Sequence, residues 1–379
     1  MIRFWGRTRQ QTLFPDRRFV STANSDNDLS RRRRRLSVSW LDLRGSGLSI
    51  LERLLLEECL LRHDSRNWIV AGQHEATPHR YLQRIPTPTY VHHARKNASE
   101  LFNPSTAIVL GIGGKPHELL NIPLVKEEGC LCLKRFSGGG TVVLDHDSIW
   151  TTLIFRNTNA VEEDPLPEAF PRPIMEWSAE RIFGKVFAEL KAKQMGFTEP
   201  VKNEKMTMVL DTKSCGAVDD TGKVVMIPAE PVKIPSNIKS NTRDPHIPPD
   251  FELRENDFVL GDRKMGGNAQ TIVKNGWLHH TSFLWSFEPE NMEYLTMPQK
   301  RPDYRKDRQH DEFLVKLNEA YPSLTKKDFV TTLGAICETE FECERLTLPE
   351  AMAVLDKVGG MQEWFDGKAR TRIVGLDTD

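Results

Sequence analysis

The chain has 379 residues, with 52 lysines and arginines against 53 aspartates and glutamates, so its formal net charge is −1. This length accommodates one large domain and a smaller unit, with enough residues for a sizeable core. No apolar run reaches the length of about 20 residues that a membrane-spanning helix needs. The six cysteines are too scattered for a disulfide framework or a zinc site. These features argue against a membrane-spanning or disulfide-rich secreted protein and favour a reducing compartment.

Residues 1–39 form a basic amino-terminal segment that we expect to be disordered. The first 40 residues contain ten arginines and three aspartates, a net charge of +7, which leaves −8 for the rest of the chain. Arginine, hydroxyl and aromatic residues with few acids are typical of a mitochondrial transit peptide, and no apolar stretch of a secretory signal follows. The run Arg31–Arg35 fits equally a disordered basic tail, a nuclear localisation signal or a contact to nucleic acid.

Periodic apolar residues predict helices and strands along the rest of the chain. They predict a helix at 48–62, strands at 68–70 and 106–110, and a longer helix at 174–195 that follows a proline cluster. Beyond residue 288 the pattern is helical again, at 308–321, 326–338 and 348–358. We therefore expect a small helical unit at the carboxyl end.

Three adjacent glycines follow an arginine in the segment RFSGGGT, Arg135 to Thr141, between strand-like runs at 130–136 and 141–155. Glycine takes positive φ and lets a ligand approach the main chain, so successive amides can form an anion-binding nest beside the arginine. No Gly-Lys-Ser/Thr closes the segment and no helix follows it at once, so neither a P-loop nor a dinucleotide fingerprint is present. From these residues alone, an anion site and a ligand-free glycine turn are equally good interpretations.

The segment 255–287 predicts three antiparallel strands, DFVL, RKMGGNAQTIV and WLHHTSFLWSF. Gly261-Asp262 separates the first two, and Asn275-Gly276, a strong type I′ turn signal, separates the last two. Lys264 lies near the start of the middle strand. Taken alone, it would be interpreted as an exposed lysine on an edge strand, because most lysines are exposed.

Several blocks of the chain together resemble the lipoate-protein ligase A family of the biotin/lipoate ligase superfamily. The signature blocks KRFSGGGTVVLD, GDRKMGGNAQ and WLHHTSFL occur in the family's usual order, and STAIVLGIGGKPHELLN and LERLLLEECLLR resemble the blocks upstream of them. The similarity covers about 40–287. ENDFVLGDRKMGGNAQ and PDYRKDRQHDEFL look closest to a plant and protist branch of the family.

The resemblance implies an α+β fold of the class II biotin/lipoate ligase type, with mixed or antiparallel sheets flanked by helices and a small carboxyl-terminal helical unit. It divides the chain into the basic segment 1–39, a catalytic domain at 40–288 and a helical domain at 289–379. Residues at about 202–254 form an insertion, longer than the family's usual connection, that combines a proline-rich loop with a small hairpin. We interpret it as a surface excursion, because loop closure costs rise only slowly with length.

The chemistry implied by the resemblance is acyl activation with ATP and Mg²⁺. Lipoate and ATP give lipoyl-adenylate and pyrophosphate, and the lipoyl group then passes to a lysine of a carrier domain. The implied partners are lipoate or octanoate, the lipoyl domains of 2-oxoacid dehydrogenase E2 subunits and the glycine cleavage H protein, with no nucleic acid and no membrane. Because lipoylated complexes reside in mitochondria in eukaryotes, the family also favours mitochondrial import; a cytoplasmic location is the alternative.

Residues that match the family's motifs give the expected site. Lys264 is the expected catalytic lysine, a point charge that bridges the carboxylate and the α-phosphate. The residues expected to bind ATP are Arg135, Gly140, Thr141, Val142, Val143 and Lys264. Those expected to bind lipoate are Arg135, Ser137, Gly139, Lys264 and His280.

Smaller expectations concern the residues around these motifs. His279 and His280 match the family's HH pair, and adjacent strand residues face opposite sides, so only one can face the pocket. Asn256 and Asp257 match a family pair in which the Asp257 carboxylate would hold Mg²⁺ on the nucleotide phosphates; a turn cap is the alternative. Ser137 would donate a hydrogen bond to the ligand carboxylate or only shape the loop.

Departures from the family pattern keep other functions open. Leu144 stands where the family often has histidine, and Asp147-Ser148 replaces a Gly-Asn pair. A lipoyl or octanoyl transferase would need a cysteine nucleophile; Cys215 is the candidate, although it lies in the insertion without a neighbouring base to activate it. A biotin ligase fits less well, because the glycine loop of that group carries more arginines. The remaining alternative is a catalytically degenerate family member that only binds nucleotide or lipoyl domains.

Overall fold

The computed structural model describes residues 34–75, 79–86, 88–94, 106–197, 247–297 and 301–376. Most of the basic segment 1–39, and the greater part of the insertion with its expected hairpin and Cys215, lie outside the described residues. Among the described residues, no helix is both long enough and apolar enough to cross a membrane.

A large mixed sheet organises the described part of the chain. Its strand order is β12-β1-β2-β7-β11-β10-β9-β8, with β5 paired beside β10. The strands are β1 Ser37–Asp42, β2 Trp68–Gln73, β5 Gly138–Gly139, β7 Ser148–Arg156, β8 Phe251–Arg254, β9 Asp257–Leu260, β10 Arg263–Val273, β11 Gly276–Leu284 and β12 Glu342–Leu346. Only β1 pairs in parallel, with β2 and with β12, so the rest of the described sheet is antiparallel.

A smaller sheet packs beside the large one. Its order is β13-β4-β3-β6, from β3 Ala107–Leu110, β4 Leu131–Lys134, β6 Val142–Leu144 and β13 Arg372–Ile373. One face of this sheet packs on the large sheet, and the other lies under Tyr90 and Val125.

The helices cover both faces of the large sheet. They are α1 Ile50–His63, α2 Thr89–Ala94, α3 Pro116–Leu119, α4 Ile122–Glu127, α5 Pro171–Ser178, α6 Gly184–Gln194, α7 His310–Phe313, α8 Leu317–Ala320, α9 Lys326–Glu340, α10 Leu348–Asp356 and α11 Gly360–Gly367. A π-helical turn at Ala179–Phe183 joins α5 to α6, so the predicted helix at 174–195 is continuous. Short 3₁₀ turns lie at Asn157–Asn159, Pro289–Tyr294 and Asp303–Arg305.

Helix α1 lies in the interior between the two sheets. Ser49 caps its amino terminus in a reciprocal capping box with Glu52. The Ser49 hydroxyl accepts from the Glu52 amide, and the Glu52 carboxylate accepts from the Ser49 amide. Leu51, Leu54 and Leu55 are fully buried in one core cluster with residues of both sheets. Because the helix is covered on all sides, its charged residues are buried too, and they must find partners inside the protein.

The carboxyl-terminal residues correct one expectation. Residues 289–376 are not purely helical: β12 pairs in parallel with β1 at the edge of the large sheet, and β13 pairs with β4 at the edge of the small sheet. Helices α10 and α11 pack on α1. The short, charged ECERL segment of β12 has half-exposed edge positions and no apolar alternation, which is why its sequence gave no strand signal. The domain boundary at 288 itself stays a prediction.

Candidate functional site

The predicted three-stranded hairpin is present as β9, β10 and β11. Gly261 has a φ of 62°, which allows the tight turn between the first two strands. A bulge between Lys264 and Gly266 shifts the register of β10 against β9. The Lys264 ammonium pairs with Asp257 on the neighbouring strand, with 2.7 Å from Nζ to Oδ1. The hairpin thus holds a partly exposed lysine against a fixed carboxylate.

Lys264 extends along β10 toward the glycine loop. Its Nζ lies at Gly267, 3.7 Å from the point where a Cβ would stand. Gly267 is two residues from Ala269, which corresponds to about 7 Å along a strand. Ala269 pairs with Gly139 of the glycine loop. The same strand thus carries Lys264 and pairs with the glycine loop.

The glycine loop bridges the two sheets. After β4 it leaves the small sheet, pairs with β10 through Gly138 and Gly139, and returns to the small sheet at β6. Gly139 has a φ of 121°, and a Cβ there would stand 2.8 Å from Arg135 Nη2 and 2.9 Å from Ala269 Cβ. Only glycine fits this position without strain. The segment predicted as a loop at a strand junction thus contains a short strand, Gly138–Gly139, between the two sheets.

Arg135 holds this loop from inside. Its side chain is 1% exposed. Nη1 donates to Val109 O at 3.1 Å, Nη2 donates to Gly138 O and Gly140 O, and Nε donates to Ser137 Oγ at 3.0 Å. Burial lowers the pKa of Arg135 to about 10, which leaves it charged at neutral pH.

The expected role of Arg135 as a direct phosphate ligand needs correction for this conformation. Four of its hydrogen bonds go to the loop and to β3, so the guanidinium shapes the loop instead of facing outward. It has no carboxylate partner among the described residues. Its positive charge, close behind the loop amides, still favours an anion on the far side of the loop.

The other loop residues divide between packing and exposure. Val143 is buried in the core of the small sheet, so its side chain does not face a ligand, whereas Val142 is only partly buried. Gly140 has open space around its Cα. Thr141 Oγ1 is buried without a hydrogen-bond partner. An unsatisfied hydroxyl of this kind fits a bound polar group, so Gly140 and Thr141 are the predicted ATP contacts best placed to meet one.

The two histidines of the HH pair face opposite sides of β11, as predicted. His279 receives a hydrogen bond from Gln270 Nε2 at its Nδ1, 2.8 Å away, and its Nε2 lies 3.1 Å from Asn268 Oδ1. Burial, with a smaller effect of His280, lowers the pKa of His279 to about 3. His279 is therefore a neutral, satisfied core residue.

His280 faces α1 and the glycine loop. Its Nε2 lies 2.8 Å from Glu57 Oε2, and its Nδ1 lies 3.2 Å from Ser137 Oγ. Glu57 in turn receives a hydrogen bond from Arg53 Nε at 2.9 Å. Both Glu57 and His280 are almost completely buried. His280 is thus built into a buried polar network behind the loop, with no exposed surface of its own for a ligand.

Sequence reasoning missed Glu57, Arg53, Tyr304 and Arg305. Tyr304 donates to Asp257 Oδ2 at 2.9 Å, so both oxygens of that carboxylate have partners. Arg305 is 4% exposed, lies over the Phe313 ring and has an Nη2 without a partner. Tyr304 and Arg305 lie in the segment PDYRKDRQHDEFL, which resembles the family. Nothing in its sequence indicates that it packs beside Lys264.

The expected Mg²⁺ site does not fit these residues. Asp257 is engaged by Lys264 and Tyr304, and Asn256 contributes its backbone oxygen to Asn268. In the part of the chain that the structure describes, no group of three or more His, Cys, Asp or Glu side chains could hold a metal ion. Asp257 is better described as the partner that positions Lys264.

The two departures from the family pattern serve packing and a turn. Leu144 is buried between the sheets, and Ser148 Oγ bonds to Asp145 Oδ1 at 3.2 Å to close the turn before β7. Both line a small cleft with Arg53 and Trp150. The altered residues therefore change the wall of this cleft on the α1 side of the sheet.

The described residues form a mixed α+β fold in which the glycine loop, held by the buried Arg135, pairs with the same strand that carries Lys264. The chain belongs to the family described as the lipoyl protein ligase A/B catalytic domain, whose model matches residues 92–191 and 221–337, more than half of the chain. The family membership and the observed architecture confirm the predicted fold class.

The chain is also similar to a curated relative and to solved structures. The inactive lipoate–protein ligase 2 of Plasmodium falciparum (isolate 3D7) is 24% identical over 271 residues, which is 71% of this chain and 61% of that relative. The match thus spans less than two thirds of the relative's length. A lipoate-protein ligase A bound with ATP is 12% identical with a TM-score of 0.48, covering 89% of this chain and 95% of that one. P. falciparum LipL1 in complex with lipoate is 13% identical with a TM-score of 0.47, covering 86% and 70%.

Proposed function

We propose that this protein is an ATP-dependent lipoate–protein ligase. It would convert lipoate and ATP to lipoyl-adenylate and pyrophosphate, and then pass the lipoyl group to a lysine of a carrier domain. The observation that carries the proposal is the position of Lys264 Nζ on β10, about 7 Å along the strand from the pairing partner of Gly139. Family membership supports the same reaction.

Each residue has a task in this proposal. Lys264 brings a positive charge between the carboxylate of lipoate and the α-phosphate, and it exchanges part of its contact with Asp257 for the ligand oxygens. The amides from Gly140 onward and the Thr141 hydroxyl supply hydrogen-bond donors to phosphate. Arg135 fixes the loop in the required shape and adds charge behind it. Tyr304 keeps Asp257 in place beside the lysine.

The proposed function is tested by pyrophosphate release from the purified full chain. The protein is mixed with lipoate and ATP, first without and then with an apo lipoyl domain. Release that needs no acceptor supports the adenylating ligase. The absence of release under both conditions contradicts it.

A binding protein without catalysis is the second candidate. It is favoured by the relative that is named an inactive ligase and by the engagement of Arg135 with its own loop. Under this candidate the protein binds ATP or a lipoyl domain in calorimetry and releases no pyrophosphate. A transferase that uses a carrier-bound acyl group would instead transfer octanoate from its carrier without ATP, and Cys215→Ser would abolish that transfer.

The finer parts of the proposal concern substrates, carriers and location. Lipoate, octanoate and the lipoyl domains of E2 subunits and of the glycine cleavage H protein are the proposed substrates, and their relative kcat/KM values decide among them. Import is proposed to be mitochondrial. A fluorescent fusion of residues 1–39 should enter mitochondria, and a version with Arg31 to Arg35 retained but the other five arginines changed to alanine should not. Equal import of both fusions, or import of neither, contradicts the proposed transit peptide.

A further inference from the structure

A buried hydrogen-bond chain connects helix α1 to the glycine loop. Its members follow one another from Arg53 through Glu57, His280 and Ser137 to Arg135, with successive distances of 2.9, 2.8, 3.2 and 3.0 Å. All five residues are at most 4% exposed. A buried network of this kind is stable only when every donor meets an acceptor, so its partners determine the direction of each bond.

The first half of the hydrogen-bond chain, from Arg53 to His280, fixes the proton on His280 Nε2. Burial alone would raise the pKa of Glu57, but the charge of Arg53 and the hydrogen bonds from His280 and Arg53 outweigh it and lower that pKa. Glu57 is therefore ionised and can only accept hydrogen bonds. The nitrogen that faces it, His280 Nε2, must carry a proton.

The second half of the hydrogen-bond chain then has only one arrangement of its protons. Burial lowers the pKa of His280, against the raising effects of Glu57 and with smaller lowering contributions from Arg135 and Arg53, so the ring is neutral. With its proton on Nε2, Nδ1 is an acceptor, and the Ser137 hydroxyl must donate to it. Ser137 Oγ in turn accepts from Arg135 Nε, because a guanidinium can only donate.

This direction matters for the loop. The only proton of the Ser137 hydroxyl is used on His280, so Ser137 cannot also donate to a ligand carboxylate. Instead it anchors the Arg135 guanidinium, whose other nitrogens hold the carbonyls of Gly138 and Gly140. Glu57, on α1, therefore influences the glycine loop through three intervening side chains.

We propose that Glu57 and Arg53 are positioning residues that hold His280 as the Nε2–H tautomer and thereby fix Ser137, Arg135 and the glycine loop. The role of the network in adenylate formation rests on the proposed function. Neither residue lies within the segments that match the family model, which begin at residue 92.

The sharpest test is the isosteric substitution Glu57→Gln. Glutamine offers one acceptor oxygen to two donors, Arg53 and His280. The charged donor Arg53 forms the stronger hydrogen bond and retains the oxygen, which turns the amide N–H₂ toward His280. His280 Nε2 must then accept, and its proton moves to Nδ1. A single substitution on α1 thus reverses the direction of both hydrogen bonds of His280, while Arg53 and Arg135 continue to donate.

The tautomer is read from long-range ¹H–¹⁵N correlation spectra of the full chain labelled with ¹⁵N-histidine, with signals assigned through His279→Gln and His280→Gln variants. His279 is an internal control. Its Nδ1 accepts from Gln270, so it is also an Nε2–H tautomer, but its partners do not include Glu57. We expect Nε2–H at both histidines in the unmodified protein, and a change to Nδ1–H at His280 alone in Glu57→Gln.

A His280 signal with the proton on Nδ1 in the unmodified protein overturns the inference, even if the variant does not fold. So does a folded Glu57→Gln protein in which His280 keeps its Nε2 proton. Neither spectrum depends on ligase activity, so the inference and the proposed function can fail separately.

The functional readout is pyrophosphate release without acceptor. Glu57→Gln should lower kcat/KM by about ten-fold, the usual lower size of effect for a residue that orients a site residue. Glu58→Gln is the matched control, since Glu58 is also fully buried on α1 but accepts hydrogen bonds from Arg62 Nε and from the backbone amides of Arg370 and Thr371 instead of from His280. Equal kcat/KM for the two variants, in a protein that does release pyrophosphate, contradicts the positioning role.

Discussion

Gly139 is a position where a single methyl group should distort the candidate site. An alanine there would adopt a φ of 121°, outside the regions that side-chain-bearing residues occupy, at a cost of about 1 to 3 kcal/mol. Its Cβ would stand 2.8 Å from Arg135 Nη2 and 2.9 Å from both Ala269 Cβ and Asn268 O. Overpacking against two strands adds about 1 to 3 kcal/mol. We expect Gly139→Ala to lower the free energy of unfolding by roughly 2 to 6 kcal/mol.

Gly140 provides the matched control. It is the next residue of the same loop, its φ is not positive, and a Cβ there would meet nothing within 4 Å. Gly140→Ala should change the free energy of unfolding by no more than about 0.5 kcal/mol. Urea unfolding, followed by tryptophan fluorescence, measures the free energy of unfolding of both variants. The midpoints are compared when the free energy depends on urea concentration with the same slope in both. Equal midpoints for the two variants would refute the wedged position of the loop between the sheets.

Three further predictions follow from the contacts around the site. In the folded protein the pKa of His279 is about 3, below its ordinary value of 6.5. The unfolded chain therefore binds the proton more strongly, and the free energy of unfolding falls as the pH falls from 6.5 toward 3. Between pH 6.5 and 5 the free energy of unfolding should fall by about 2 kcal/mol from this residue. His279→Gln should remove that part of the pH dependence, and parallel curves of stability against pH for the two proteins would contradict the prediction. Arg135→Lys should lower the stability by about 1 to 3 kcal/mol, because one ammonium cannot reach the carbonyls of Val109, Gly138 and Gly140 together, and an unchanged urea midpoint would speak against that account. Tyr304→Phe should raise the KM for ATP in pyrophosphate release with little effect on stability. The control Tyr90→Phe, which removes a hydrogen bond to Cys130 O, should leave that KM unchanged. An equal rise of the KM in both variants would contradict a role of Tyr304 beside Lys264.

The hairpin was predictable because its signals are local. Asn275-Gly276 and Gly261-Asp262 specify two turns, and the apolar runs between them specify strands, so β9, β10 and β11 follow from short-range sequence alone. The opposite orientation of His279 and His280 follows from the two-residue period of a strand. Long-range pairing left no comparable signal: Gly138 and Gly139 form β5 only because β10 lies beside them.

The direction of a buried side chain was not predictable from its type. Arg135 was expected to face phosphate, since an arginine beside glycines has that chemistry, but its donors hold the loop's own carbonyls. Glu57 and Arg53 lie on a helix whose charged residues would ordinarily face solvent. They are buried because they face the large sheet, where Glu57 meets His280 of β11 and Arg53 meets Trp150 of β7, and those strands are distant in sequence.

The central claim is that Lys264 promotes formation of lipoyl-adenylate. It is tested most directly by pyrophosphate release from lipoate and ATP, without acceptor, in the unmodified chain, Lys264→Ala and Lys274→Ala. Lys274 is an exposed lysine at the other end of the same strand pair, so its substitution removes the same charge away from the loop. We predict release by the unmodified chain and by Lys274→Ala, and none by a Lys264→Ala protein with unchanged urea unfolding. Release by Lys264→Ala at the rate of the unmodified chain, or no release by the unmodified chain, would contradict the claim.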